Sequence, residues 1–102
     1  YLHVHDCIEA IFKTLKYKNN KFVNIYNLGN KNYISVKQSI KIILKNLKLN
    51  PKLKFQKQKR GWIGDVPFIL LDINKIKKTG WRPKFSIKES IIDTLNFLKK
   101  YN

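Results

Sequence analysis

Three stretches of this chain carry apolar residues at helical spacing, and a pair of residues typical of a helix start precedes each of them. The pairs are Asp6 with Glu9, Ser35 with Gln38, and Ser86 with Glu89. In such a pair the first side chain accepts a hydrogen bond from a backbone amide of the first turn, and the second side chain reaches back. The apolar residues that follow recur every three or four positions, which predicts three amphipathic helices.

Short runs rich in β-branched and aromatic residues lie between these stretches. They are residues 1–4, 22–28, 52–56 and 68–71. Composition of this kind, with a terminator such as Gly29, predicts short strands. Asp72 is a suitable N-cap for a fourth helix of two turns that ends at Gly80. The sequence therefore predicts an α/β fold, or an α+β fragment, with about four helices and three or four short strands in a single unit spanning residues 1–102.

The charge balance is strongly basic. Of the 102 residues, 22 are Lys or Arg and 6 are Asp or Glu, which gives a formal net charge of +16. Such a charge ordinarily suggests nucleic acid or an anionic membrane as partner. Only two of the basic residues are arginines, however, and the lysines are spread along the whole chain. Because selected nucleic-acid surfaces rely on arginine for bidentate contacts, we interpret the lysines as a solvated surface, with a small basic nucleic-acid-binding or interaction module as the alternative.

Cysteine and histidine usage argues against a disulfide framework or a metal centre. Cys7 is the single cysteine, so no internal disulfide can form, and a reducing cytoplasm is expected. His3, His5 and Asp6 would need further ligands from elsewhere in the chain, and we predict no metal. The sequence also contains no apolar run long enough to span a membrane, so no membrane association is expected.

Two glycines bracket a tryptophan near the middle of the chain. Gly61 and Gly64 flank Trp62, Arg60 precedes this loop and Asp65 closes it. An arginine fork matches a phosphate group, and a carboxylate accepts hydrogen bonds from sugar hydroxyls or a base N–H. The arrangement predicts a binding loop for a phosphorylated sugar ligand. A turn in which Arg60 and Asp65 pair with each other is the alternative that composition leaves open.

Three segments together resemble a known family. They are YLHVHDCIEA at residues 1–10, YNLG at 26–29, and the run at 60–83, which begins RGWIGDV and ends GWRP. In this order they resemble the carboxyl-terminal, substrate-binding part of the extended short-chain dehydrogenase/reductases, the NAD-dependent nucleotide-sugar epimerases and dehydratases that include UDP-glucose 4-epimerase. The resemblance covers nearly all of this chain but only the last part of such an enzyme.

The resemblance implies a substrate-binding role for four residues. Tyr1 matches the tyrosine beside the nucleotide diphosphate, and Arg60 matches the arginine that pairs with this diphosphate. Val36 lies near the position that packs against the nucleoside, and Asp65 matches the acidic residue near the ribose or base. The implied ligand is a nucleotide sugar.

The resemblance also implies that the catalytic and cofactor sites lie outside this chain. NAD(P) would be bound mainly by an amino-terminal Rossmann domain that the chain lacks, and this domain would also form a homodimer. Tyr17 with Lys21 and Tyr33 with Lys37 fit the family's Tyr-x-x-x-Lys pattern, but neither pair is predicted to lie within one helix. We therefore expect no catalytic residue in this chain, no bound cofactor and no activity from the chain alone.

Overall fold

The computed structural model describes residues 1–55, 61, 64, 66 and 68–101, and these residues form helices joined by irregular segments. The helices are α1 (Val4–Lys16), α2 (Val36–Leu47), α3 (Asn74–Lys77) and α4 (Ile87–Tyr101). The four helices expected from the sequence are therefore present in this part of the chain, and α2 packs against α4. Helix α3 has a single turn and Ile73 as its N-cap, so the predicted two turns and the predicted N-cap Asp72 are wrong, whereas the turn after the helix ends at Gly80, whose φ of 83° suits glycine. No helix of the described residues is long and apolar enough to cross a bilayer.

The predicted α/β or α+β fold with three or four strands is wrong, because the described residues contain no strand. Residues 22–28, 52–55 and 68–71 are irregular, and Val4 of the first predicted strand begins α1. A strand is stable only when its backbone groups pair with a neighbouring strand. In the described part of the chain, the backbone hydrogen bonds outside the helices belong to helix ends. The composition thus indicates a local preference for extended backbone, but the described residues contain no strand with which these segments could pair.

Two of the three predicted helix starts are confirmed. At α2, the Ser35 hydroxyl accepts from the Gln38 amide at 3.2 Å, and Gln38 Oε1 accepts from the Ser35 amide at 2.9 Å. At α4, Glu89 accepts from the Ser86 amide at 2.7 Å, and the Glu89 amide donates to the Ser86 hydroxyl at 3.2 Å. Both boxes satisfy amides that a helix start otherwise leaves without partners.

The predicted start of α1 at Asp6 with Glu9 is wrong. The N-cap is His3, whose Nδ1 accepts from the His5 amide at 3.2 Å. Glu9 instead pairs with Lys84 at 2.8 Å. This hydrogen bond, together with the charge of Glu9, raises the pKa of the Lys84 ammonium above its usual value. The sequence pattern failed because both carboxylates are used by residues far along the chain.

Asp6 joins α1 to the segment that leads into α4. Its side chain is fully buried, and its two carboxylate oxygens accept from the amides of Lys84 at 2.9 Å and Phe85 at 3.2 Å. Its backbone carbonyl accepts from the indole N–H of Trp81 at 2.9 Å. Trp81 belongs to a small core whose other buried members are Ala10, Ile73 and Ile76. This junction fixes the first residues of the chain relative to α3 and α4.

His3 forms a second link between the start of α1 and α4. It is buried, its ring stacks on Phe85 at 3.9 Å between centroids, and its Nε2 lies 3.0 Å from Asp93 Oδ2. Because Nδ1 accepts from His5, Nε2 carries the hydrogen and donates to Asp93. Both ring nitrogens are therefore occupied by protein partners.

Candidate functional site

A cavity of about 700 Å³ lies at the N-terminal end of α2. Three parts of the chain enclose it: the first two residues, the segment from Leu28 to Gln38, and the segment that follows the glycine loop. Its lining includes Tyr1, Gly29, Asn32, Ser35, Gln38 and Val66. A cavity of this size, with both polar and apolar walls, is in the range of small-ligand sites.

Tyr1 reaches the first turn of α2 through Ser39. The Tyr1 hydroxyl lies 3.4 Å from Ser39 Oγ, and Ser39 Oγ donates to the carbonyl of Val36 at 2.8 Å. Since the single hydroxyl hydrogen of Ser39 is used on Val36, Tyr1 is the donor to Ser39. Tyr1 is 66% exposed, so its hydroxyl is also accessible from the cavity. The contact to Ser39 is long, and a ligand oxygen would be a better acceptor.

Val36 stands at the first turn of α2, beside the cavity rather than in its wall. Its side chain is exposed and is not among the described lining residues, whereas its neighbour Ser35 and the nearby Gln38 are. The capping box between Ser35 and Gln38 holds this turn in place. The structure thus brings Tyr1 and the backbone of Val36 to the same helix start.

Two aromatic side chains, which sequence reasoning did not select, meet at this cavity. The rings of Tyr33 and Phe68 lie 5.1 Å apart at 85°, an edge-to-face contact, and both side chains are exposed and line the cavity. Asn30, also in the lining, is fixed by donating to the carbonyl of Phe85 at 3.0 Å. The only sequence signal for this pair is that each aromatic residue stands in a segment next to a predicted ligand-binding residue.

Arg60 and Asp65 lie outside the described residues, so their predicted roles stay predictions. Gly61 and Gly64 of the same loop are exposed. Val66, which follows Asp65 in the sequence, lines the cavity. The segment that follows the predicted binding loop therefore lines the same cavity as Tyr1.

The two Tyr-x-x-x-Lys pairs do not form a catalytic arrangement in the structure. Tyr17 is the C-cap of α1 and Lys21 lies beyond the helix. Tyr33 precedes α2, and Lys37 lies within it. Neither pair stands within one helix, as the sequence predicts. In the described ranges, no three His, Cys, Asp or Glu side chains come together as metal ligands would.

Comparison with known proteins finds distant similarity to parts of two enzymes. No protein-family model matches the chain. The chain is 29% identical over 102 residues to a protein of Methanocaldococcus jannaschii inferred to be a UDP-glucose 4-epimerase, and it covers 31% of that protein. It is 28% identical over 95 residues to a rice (Oryza sativa subsp. japonica) protein inferred to be GDP-L-fucose synthase 1, and it covers 27% of that protein. The chain thus spans less than a third of the length of each curated relative, within an epimerase-like region.

Proposed function

We propose that this chain is the nucleotide-sugar-binding portion of an NAD-dependent epimerase or dehydratase. The cavity at the start of α2 carries this proposal, because it is lined by Tyr1, at which the family resemblance implies a ligand contact, and by Val66, which follows the predicted binding residue Asp65 in the sequence. The similarity to a UDP-glucose 4-epimerase and a GDP-L-fucose synthase supports it, since both names refer to enzymes of nucleotide sugars.

Each proposed site residue has a distinct task. The Tyr1 hydroxyl donates to a diphosphate oxygen in place of its long contact to Ser39. Arg60 pairs with the same diphosphate through its guanidinium fork. Asp65 accepts from the ribose or base, and Val36 offers an apolar surface to the nucleoside. The chain's part in the reaction is to position the sugar for groups on another part of the enzyme.

The described residues do not fit a dinucleotide cofactor. The glycines stand at positions 29, 61, 64 and 80, a spacing that contains no G-x-G-x-x-G fingerprint. A Cβ on Gly29 would meet the Ile73 side chain at 3.7 Å, so this glycine packs against the chain's own core. We therefore assign NAD to a Rossmann domain outside this chain and involve it in no step performed here.

Substitution of Arg60 by alanine in the intact enzyme tests the diphosphate contact. We expect Arg60→Ala to weaken binding of UDP or GDP, whichever the enzyme prefers, by about tenfold or more, because a charge-assisted contact is lost. Binding of NAD should not change. Isothermal titration calorimetry measures both affinities.

Arg82→Ala is the matched control for this experiment, because Arg82 is the other arginine of the chain and donates to the carbonyls of Lys77 and Trp81 rather than into the cavity.

Tyr1→Phe, with the exposed Tyr101→Phe as its control, tests the tyrosine in the same way. Unchanged nucleotide affinity in both Arg60→Ala and Tyr1→Phe would rule out the proposed site.

A further inference from the structure

Four lysines that are far apart in the sequence meet at one cleft. Lys18 and Lys21 follow α1, whereas Lys75 lies in α3 and Lys78 directly after it. The cleft between them has a volume of about 470 Å³. The rest of its lining is Tyr17, Asn19, Asn20, Asn24 and Tyr26. The lysines look dispersed along the sequence, but the fold concentrates these four.

Hydrogen bonds of Asn19 give one wall of the cleft a fixed shape. Asn19 Oδ1 accepts from the amide of Lys21 at 2.7 Å and from Asn24 Nδ2 at 2.9 Å. Asn19 Nδ2 lies 3.4 Å from the hydroxyl of Tyr26, to which it donates. The segment after α1 therefore holds Lys21 and the Tyr26 ring at defined positions although it has no regular secondary structure.

Lys75 fixes the opposite wall. Its ammonium donates to the carbonyl of Ile25 at 2.6 Å and lies 4.9 Å from the centroid of the Tyr26 ring. These contacts hold one positive charge at the cleft and leave two of its N–H donors for a ligand. A preorganised cation loses little side-chain entropy when an anion binds.

No acidic residue is among the described residues that line the cleft. Among the described residues, Lys84 pairs with Glu9 away from the cleft, so this carboxylate does not neutralise the four lysines. Cations that share a cleft repel one another and concentrate anions from solution. A ligand with several phosphate charges would neutralise more than one ammonium at once, and lysine is a common partner of phosphate.

We infer that this cleft is a second anion site, which binds a ligand carrying several phosphate groups. It shares no described lining residue with the cavity at the start of α2, so it is separate from the proposed nucleotide-sugar site. The phosphate groups come either from a free polyphosphate or from the backbone of a single-stranded nucleic acid. The tyrosine rings beside the lysines provide faces on which a base can stack.

The test compares two triple variants that each remove three positive charges. The cleft triple carries Lys18→Gln, Lys21→Gln and Lys78→Gln. It removes three of the four lysine charges from the cleft and keeps Lys75, which has a structural contact. The control triple replaces the exposed lysines Lys41, Lys45 and Lys88, which lie on α2 and α4. Tripolyphosphate and a short oligothymidylate are titrated into each protein at low and physiological salt, and circular dichroism checks that the helices are retained.

We expect the cleft triple to bind at least about tenfold more weakly at low salt, and the control triple to change by about twofold or less. Cleft-dependent binding of tripolyphosphate identifies a free polyphosphate as the ligand type. Cleft-dependent binding of oligothymidylate alone, with the salt slope reduced by about 0.7 for each lysine lost, identifies a nucleic-acid backbone. Equal losses in both triples, or no binding of either probe to the unmodified chain, would overturn the inference.

Discussion

Glu89 and Gln38 occupy the same place in two capping boxes, but only Glu89 carries a charge. Each accepts a hydrogen bond from the backbone amide of its N-cap serine. The bond from the Ser86 amide, followed by the bond with its hydroxyl, lowers the pKa of the Glu89 carboxyl below its usual value. A carboxyl whose pKa is lower in the folded state stabilises the fold at neutral pH, and this contribution disappears as the pH falls through the folded pKa.

Acidification should therefore loosen the start of α4 before that of α2. Below a pH of about 4, where an unfolded glutamate is already protonated, we expect the Ser86 amide resonance to shift, because it loses a charged acceptor. The Ser35 amide should not follow, since Gln38 does not titrate. Heteronuclear NMR across the acid range measures both amides.

Glu89→Gln is the control for this titration, because glutamine keeps the box and removes the charge. In this variant the Ser86 amide should behave like the Ser35 amide. Identical acid shifts of the two amides in the unmodified chain would contradict the prediction.

At the scale of the elements, Asp6 connects α1, Trp81 and the start of α4. A buried carboxylate that accepts from two backbone amides leaves both amides without partners when it is removed. The indole of Trp81 donates to the backbone of the same residue, so the packing of the core depends on the position of Asp6 as well.

Asp6→Ala should lower the free energy of unfolding by about 3 kcal/mol, since two backbone amides lose a buried acceptor. Asp6→Asn, which keeps one acceptor oxygen, should cost about half as much. Urea unfolding followed by helical circular dichroism measures the change. Asp72→Ala is the matched control, because Asp72 is exposed and accepts from one amide, that of Asn74, at 2.8 Å. A cost for Asp6→Ala no greater than for this control would contradict the prediction.

The contrast between Ser35 and Asp6 shows what the sequence can predict. The helices follow from apolar periodicity and from caps whose partners lie three residues away, and such a cap works wherever the helix is placed. Asp6 matches the same pattern, yet its partners are Lys84 and Phe85, so its role depends on the tertiary fold. The predicted strands failed for the same reason, since a strand needs a partner that local sequence does not name.

The candidate site could likewise be predicted from the sequence only in part. The family resemblance pointed to Tyr1, and the structure places it at the cavity with the start of α2. The contact between Tyr33 and Phe68 joins two distant irregular segments, and no spacing rule brings such residues together. Arg60 and Asp65 remain predictions from sequence.

At the scale of the whole molecule, the chain is extended and shows an apolar face. Its radius of gyration is 17.1 Å, whereas a compact domain of this length has about 13 Å. On α1, the apolar side chains at helical spacing are 44% to 76% exposed; they are Ile8, Ile11, Phe12 and Leu15. Phe22 and Val23, which follow the helix, are also exposed. Exposed apolar side chains concentrated on one helix are typical of an interface.

On the proposed function, we expect the apolar face of α1 to pack against the Rossmann domain assigned above to the intact enzyme. Substitution of Ile8, Phe12 and Leu15 by glutamine should then destabilise the intact enzyme by about 3 kcal/mol or more, because large apolar side chains lose buried area. In urea unfolding, the isolated chain should lose much less stability than the intact enzyme, since glutamine is a good helix former and these side chains are already 44% to 76% exposed.

Lys13→Gln with Lys16→Gln provides the control on the same helix, because both lysines are exposed and their loss removes no apolar surface. This double variant should leave both the intact enzyme and the isolated chain within about 0.5 kcal/mol of their original stability. An intact enzyme that tolerates the glutamine triple as well as this control would show that α1 faces solvent there too. The partner would then have to cover a different surface, and the exposed segment around Phe22 would be the next to test.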